Sequence, residues 1–121
     1  MIPDDLLPHL VDVVTPGTRT DRYGNTIDDW SPEAVTRQQA RAWMQQNTGS
    51  EDTDQRNAQV GEWLMVANPR AVDGQPLSVT GKCRIEWPDQ GLTFEVAGPP
   101  GPAYEPTALH HYEIRLTAVE G

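Results

Sequence analysis

GKCRIEWPDQGLTFEVAGPPGPAYEPTALHHYEIRLTAVEG, residues 81–121, decides how this chain folds. Ile85 and Trp87 alternate with Arg84 and Glu86, and Leu92, Phe94 and Val96 alternate with Thr93 and Glu95. A period of two puts apolar side chains on one face of a strand and polar ones on the other. Pro88-Asp89-Gln90-Gly91 supplies turn chemistry between the two runs, so 82–87 and 92–97 read as a hairpin. Residues 98–108, GPPGPAYEPTA, carry four prolines and two glycines. Each proline fixes φ near about −65°, so this stretch reads as a stiff elbow without regular structure. Residues 109–119, LHHYEIRLTAV, read as a final long strand. His110, Tyr112, Ile114, Leu116 and Ala118 share one face, and His111, Glu113, Arg115 and Thr117 the other.

Working towards the N-terminus, the same signals recur. Residues 68–80 contain Pro69, Gly74 and Pro76 and read as a long connection. Residues 58–67, AQVGEWLMVA, read as a strand. Residues 47–57, NTGSEDTDQRN, have no apolar side chain and read as an exposed loop. Residues 36–46, TRQQARAWMQQ, have helix-forming composition. Their alternation opposes it: Ala40, Ala42 and Met44 fall on one face, Arg41, Trp43 and Gln45 on the other. With β signals on both sides, the strand is chosen. Residues 18–30 read as a hairpin turning at Tyr23-Gly24-Asn25, where glycine supplies positive φ. Ser31-Pro32-Glu33 reads as a loop, and 9–15, HLVDVVT, as a β-branched strand. Pro3 and Pro8 bracket Leu6-Leu7 in an N-terminal arm, residues 1–8. The chain therefore reads as one mainly β domain of roughly six to eight short strands. The expected architecture is a small antiparallel barrel or sandwich with long loops and an extended arm.

Composition narrows the function. There are 18 acidic against 9 basic residues, a formal net charge of -9. Nucleic-acid affinity comes mostly from neutralising phosphates, so classical DNA or RNA binding is not expected. Hydrophobic residues are only 36% of the chain, so part of the apolar packing is expected to be completed by neighbouring subunits. Four Trp and three Tyr against one Phe suit interfaces as well as cores. Cys83 is the single cysteine, which rules out an intrachain disulfide. The opening MIPDDLLPHL is acidic and proline-broken, unlike a signal peptide. No apolar run approaches the roughly 20 residues that span a bilayer, and no membrane partner is expected.

No catalytic or metal motif stands out. His110 and His111 are expected on opposite faces of a strand, where they do not chelate one ion, and His9 is distant in sequence. Asp4-Asp5, Asp28-Asp29, Glu51, Asp52 and Asp54 lack calcium-loop spacing and read as solvated acidic surface. Cys83 reads as a structural thiol. Gly98-Pro99-Pro100-Gly101 is no phosphate loop, because prolines remove the backbone donors. The chain is read as a non-enzyme without cofactor.

Asp21-Arg22-Tyr23-Gly24-Asn25, Asp29-Trp30-Ser31, Glu51-Asp52-Thr53-Asp54, Phe94-Glu95-Val96-Ala97-Gly98-Pro99-Pro100, Leu109-His110-His111-Tyr112-Glu113 and the closing Val119-Glu120-Gly121 follow one another in an order and spacing that carry a family resemblance. The chain resembles the head-closure, or head-to-tail stopper, proteins of long-tailed phages, particularly those of actinobacterial hosts. The resemblance implies a small β-barrel in a homo-oligomeric ring at the virion neck, made in the host cytoplasm. Adaptor and portal proteins would lie above it, and a tail terminator or tail tube below. It implies sealing of the DNA-filled capsid, with double-stranded DNA passing through the channel without specific binding. By that analogy Thr48, Gly49, Ser50, Glu51, Asp52, Thr53, Asp54, Gln55 and Arg56 are a candidate channel or adaptor loop. Val72, Asp73, Gly74, Gln75 and Pro76 are a second, and Trp30, Trp43, Trp63 and Tyr104 are candidate interface aromatics. A tail terminator, another connector ring protein and a free-standing β binding module are the alternatives.

Overall fold

The alternation read along the chain becomes a closed barrel. The computed structural model describes residues 1–46, 61–106 and 108–119. Nine strands run through them: β1 (His9–Thr15), β2 (Gly17–Thr20), β3 (Thr26–Asp29), β4 (Thr36–Gln46), β5 (Glu62–Ala67), β6 (Arg84–Trp87), β7 (Leu92–Val96), β8 (Gly101–Tyr104) and β9 (Leu109–Val119). β5, β4, β1, β6, β7 and β9 pair in that order, and β5 pairs with β9 to close a six-stranded antiparallel barrel. β8 adds to β9 outside the ring, and β2 and β3 form a separate two-stranded hairpin.

The interior is filled by alternate side chains of the six barrel strands, including the apolar faces read in β4, β6 and β7. Val11 and Val13 of β1, Ala40, Ala42 and Met44 of β4, Met65 and Ala67 of β5, and Ile85 and Trp87 of β6 are buried, as are Phe94 and Val96 of β7 and Ile114 and Leu116 of β9. The alanines of β4 and β5 leave space that Met65, Phe94 and Trp87 occupy, which is how a narrow barrel accommodates large side chains. The strand reading of 36–46 agrees with this burial: a helix would turn Ala42 away from the face shared by Ala40 and Met44.

The hairpin of β6 and β7 turns through a short 3-10 segment, Pro88–Gln90, with Gly91 in the left-handed region at φ 65°. In the β2–β3 turn, Asp21 Oδ1 accepts from the backbone N–H groups of Tyr23 and Asn25, each at 2.9 Å. The Asn25 N–H, foremost, holds the Asp21 carboxyl below its usual range. A depressed carboxyl contributes order that is present above its ordinary value and lost as pH falls through the lowered one. The Asn25 and Tyr23 amide shifts are therefore expected to titrate together below about pH 4. In Asp21→Ala they stay flat; a flat wild-type titration would mean the carboxylate does not hold the turn.

Two stretches differ from the sequence reading. The Pro/Gly elbow is not free of regular structure, because Gly101–Tyr104 forms β8. Proline is tolerated on an edge strand, where its missing N–H removes one bond from a ladder that is already one-sided. The 1–8 arm does not dangle. Leu7 is buried, and the Asn68 side chain bonds both the N–H and the carbonyl of Ile2, each at 2.8 Å. The reading of 58–67 as strand holds from Glu62; residues 58–60 lie outside the described residues.

Candidate functional site

The first candidate loop, Thr48 to Arg56, lies outside the described residues. The second is strapped to the barrel rather than free. Val72 N–H donates to Gln39 O at 2.8 Å, and the Gln38 side chain bonds Pro76 O and Ser78 N–H, each at 2.9 Å. Ala71 and Leu77 are buried beneath it. Its tip is a tight turn in which Gly74 N–H donates to Ala71 O and Asp73 Oδ1 accepts from Gln75 N–H. These bonds cover the part of β4 that β5 does not reach, because β5 pairs only with Ala42–Gln46. Val72 itself remains half exposed.

The four candidate aromatics are not gathered in one place. Trp30 leaves β3 and lies under Arg84, whose guanidinium carbon is 4.0 Å from the ring centroid, so it braces the base of the hairpin against β6. Trp63 points inward and meets Phe94 and Trp87 edge-on at 5.4 and 6.0 Å. Trp43 is 41% exposed on the outer wall, opposite Val66. Tyr104 is 60% exposed at the end of β8. Of the four, Trp63 alone lines a groove of about 840 Å³: Trp63, Leu64 and Gln45 contribute from β4 and β5, Pro102 and Ala103 from β8, and Glu113 and Arg115 from β9.

Outside the groove the outer wall is charged. Arg37 donates to Glu86 at 2.6 Å and stands 3.8 Å from Asp12, tying β4, β1 and β6 together. The Glu86 bond holds the guanidinium proton more tightly than usual. Cys83 is buried, with its sulfur 3.3 Å from Thr15 Oγ1 and 3.4 Å from Thr80 N, in keeping with a structural thiol. The His9 ring packs at a tilt against Trp87, with centroids 4.7 Å apart, and accepts the Met44 N–H, so it serves the barrel.

The histidine pair departs from expectation. His110 and His111 do not point apart: their Nδ1 atoms lie 2.9 Å from each other. The cause is a slip in the β8–β9 register, where Ala103 faces His111 but Tyr104 faces Leu109. His110 is the additional residue of a β-bulge, and bulges re-aim side chains. His111 Nε2 lies 2.9 Å from Glu113 Oε2, and His110 Nε2 lies 3.4 Å from Glu105 Oε2. No sequence signal marks this cluster, since a bulge on β9 is defined only by its partner strand. Among the described residues, no three His, Cys, Asp or Glu side chains converge as metal ligands do.

No known family model matches the chain, and no curated protein is significantly similar to it.

Proposed function

We propose that this chain is a structural virion protein: a head-to-tail connector stopper that forms a ring beneath the portal and adaptor, seals the DNA-filled capsid and offers the surface on which the tail docks. The single observation that carries the reading is a closed barrel bearing strand edges that are unpaired among the described residues at two different places, β8 and the β2–β3 hairpin. Two unlike edges on one subunit suit a head-to-tail contact between copies, and a head-to-tail contact that closes by rotation makes a ring. The acidic balance, with a net charge of -9, supports a channel wall that lets DNA slide without holding it. The family resemblance points the same way.

A tail terminator or another connector ring would use the same features. A free-standing binding module is favoured by one specific observation, the groove between Trp63 and β8.

Reconstitution separates these readings. Purified chain is mixed with DNA-filled capsids bearing portal and adaptor, and imaged by electron microscopy. A new ring of density at the portal vertex is the expected result. Binding to tail tubes alone replaces the stopper by a terminator. A monomer that binds neither returns the groove-bearing module to first place.

A further inference from the structure

We propose that Glu105, His110, His111 and Glu113 form a proton-operated latch that fastens β8 to the barrel. Among the described residues β8 is held on one side, by β9, through Gly101, Pro102, Ala103 and Tyr104, and Pro102 has no N–H to give. The turn that follows is closed by Glu105 N–H donating to Ala108 O at 2.9 Å. The histidine pair sits at the bulge between these two points, so it clamps the open end of the β8–β9 pairing.

The proton inventory follows from the hydrogen bonds. His111 Nε2 faces a carboxylate at 2.9 Å, so that nitrogen carries the proton and His111 Nδ1 is an acceptor. His110 Nδ1, 2.9 Å away, must then be the donor. One further proton on His110 Nε2 points at Glu105 Oε2, 3.4 Å away, and extends the chain without breaking it. A second further proton has no place. It would have to sit on His111 Nδ1, facing the N–H of His110, and two donors pointed at each other part.

Among the described residues no other charged side chain bonds to this cluster; Arg115, two residues beyond Glu113 on β9, lines the groove beside it. The residue facing His111 on β8 is Ala103, and β5 ends its pairing with β9 at Tyr112. Glu105 from the turn and Glu113 from β9 are the acidic partners. Acidification that adds both protons therefore opens the latch. The order survives the first added proton and is lost with the second. Release frees the strand that flanks the groove. The latch is intramolecular and does not depend on the connector reading.

The test uses the whole chain, labelled with nitrogen-15. Long-range nitrogen–proton spectra at about pH 8 report each ring's tautomer directly. The expected result is Nδ1–H for His110 and Nε2–H for His111. Two Nε2–H rings would overturn the proposal before any variant is made. Loss of one charge-assisted bond also predicts amide exchange at Ala103, Tyr104 and Glu105 about tenfold faster at about pH 5 than at neutrality, after correction for intrinsic exchange. Core amides such as Phe94 should not follow. His110→Gln and His111→Gln, both at half-buried positions, should each abolish this pH response. A response that persists in both variants assigns it to another group and sinks the latch.

Discussion

Phe94→Ala is expected to destabilise the chain by about 3–5 kcal/mol, the usual cost of emptying an aromatic site that cannot collapse. Phe94 is fully buried and lies where β6, β7 and β9 meet, opposite Ile85 on one side and Ala118 on the other. Ala118 is too small to advance into the space. Trp63, on the third side, is held edge-on to Trp87 as well as to Phe94. The cavity therefore stays open, and the Trp63–Phe94 ring contact is lost on top of the apolar burial. Domains of this size have only about 5–15 kcal/mol in total, so the loss is a large fraction of the stability. Urea unfolding should show a lowered midpoint with an unchanged slope, because the surface exposed on unfolding is nearly the same. Trp43→Ala is the contrast. Trp43 is the larger side chain but is 41% exposed on the outer wall, and its removal should cost less than about 1 kcal/mol. Equal losses would mean that the inward and outward faces have been assigned wrongly.

What was legible in the sequence follows the range of the interaction that decides each feature. The β6–β7 hairpin was readable because alternation and turn chemistry both lie within residues 82–97, and Gly91 takes the left-handed conformation that only a local rule demands. In 36–46 propensity and alternation disagreed, and alternation won because Ala40, Ala42 and Met44 all face the barrel interior. β8 was missed for the opposite reason. Four prolines in 98–108 argue locally against a strand, and only the length of β9 explains why one forms there. β9 has eleven residues, and β7 covers only Leu116–Val119 on one edge, so Leu109–Glu113 is left to recruit the chain that follows β7.

The same limit applies to the candidate site. The strapping of 68–80 depends on Gln38 and Gln39, distant residues whose polarity says nothing about their partners. The docking of the arm depends on the burial of Leu7 and on the side chain of Asn68, a residue distant in sequence. Trp30, Trp43, Trp63 and Tyr104 were all picked by residue type, yet they do different things: Trp63 packs inward, Trp30 braces a hairpin, and Trp43 and Tyr104 face outward. Aromatic identity marks a large contact surface but not which side of the wall it is on.

If the chain forms the proposed connector ring, Tyr104→Lys is expected to abolish it while leaving the monomer folded. Tyr104 ends β8, is 60% exposed, and belongs to a strand whose second edge is unpaired among the described residues. If a neighbouring copy lays its hairpin along that edge, Tyr104 is the one large side chain of β8 available as an anchor. Truncating a central interface tyrosine commonly costs about 2 kcal/mol or more, roughly thirtyfold in each contact. Lysine does more than truncate, because a charge on an edge strand is a natural block to strand addition. Every subunit of a ring carries the same lesion, so the losses multiply around the ring. Folding should be spared, since exposed substitutions away from packing features usually shift stability by less than about 0.5 kcal/mol. Val72→Lys supplies the comparison: it is similarly exposed, but it lies on the strapped connection against β4. Electron microscopy of the reconstituted portal vertex should find rings with Val72→Lys and none with Tyr104→Lys, at matched unfolding midpoints. Full rings with Tyr104→Lys would remove β8 from the contact and leave the outer wall around Trp43 and Val66 as the surface that joins one copy to the next.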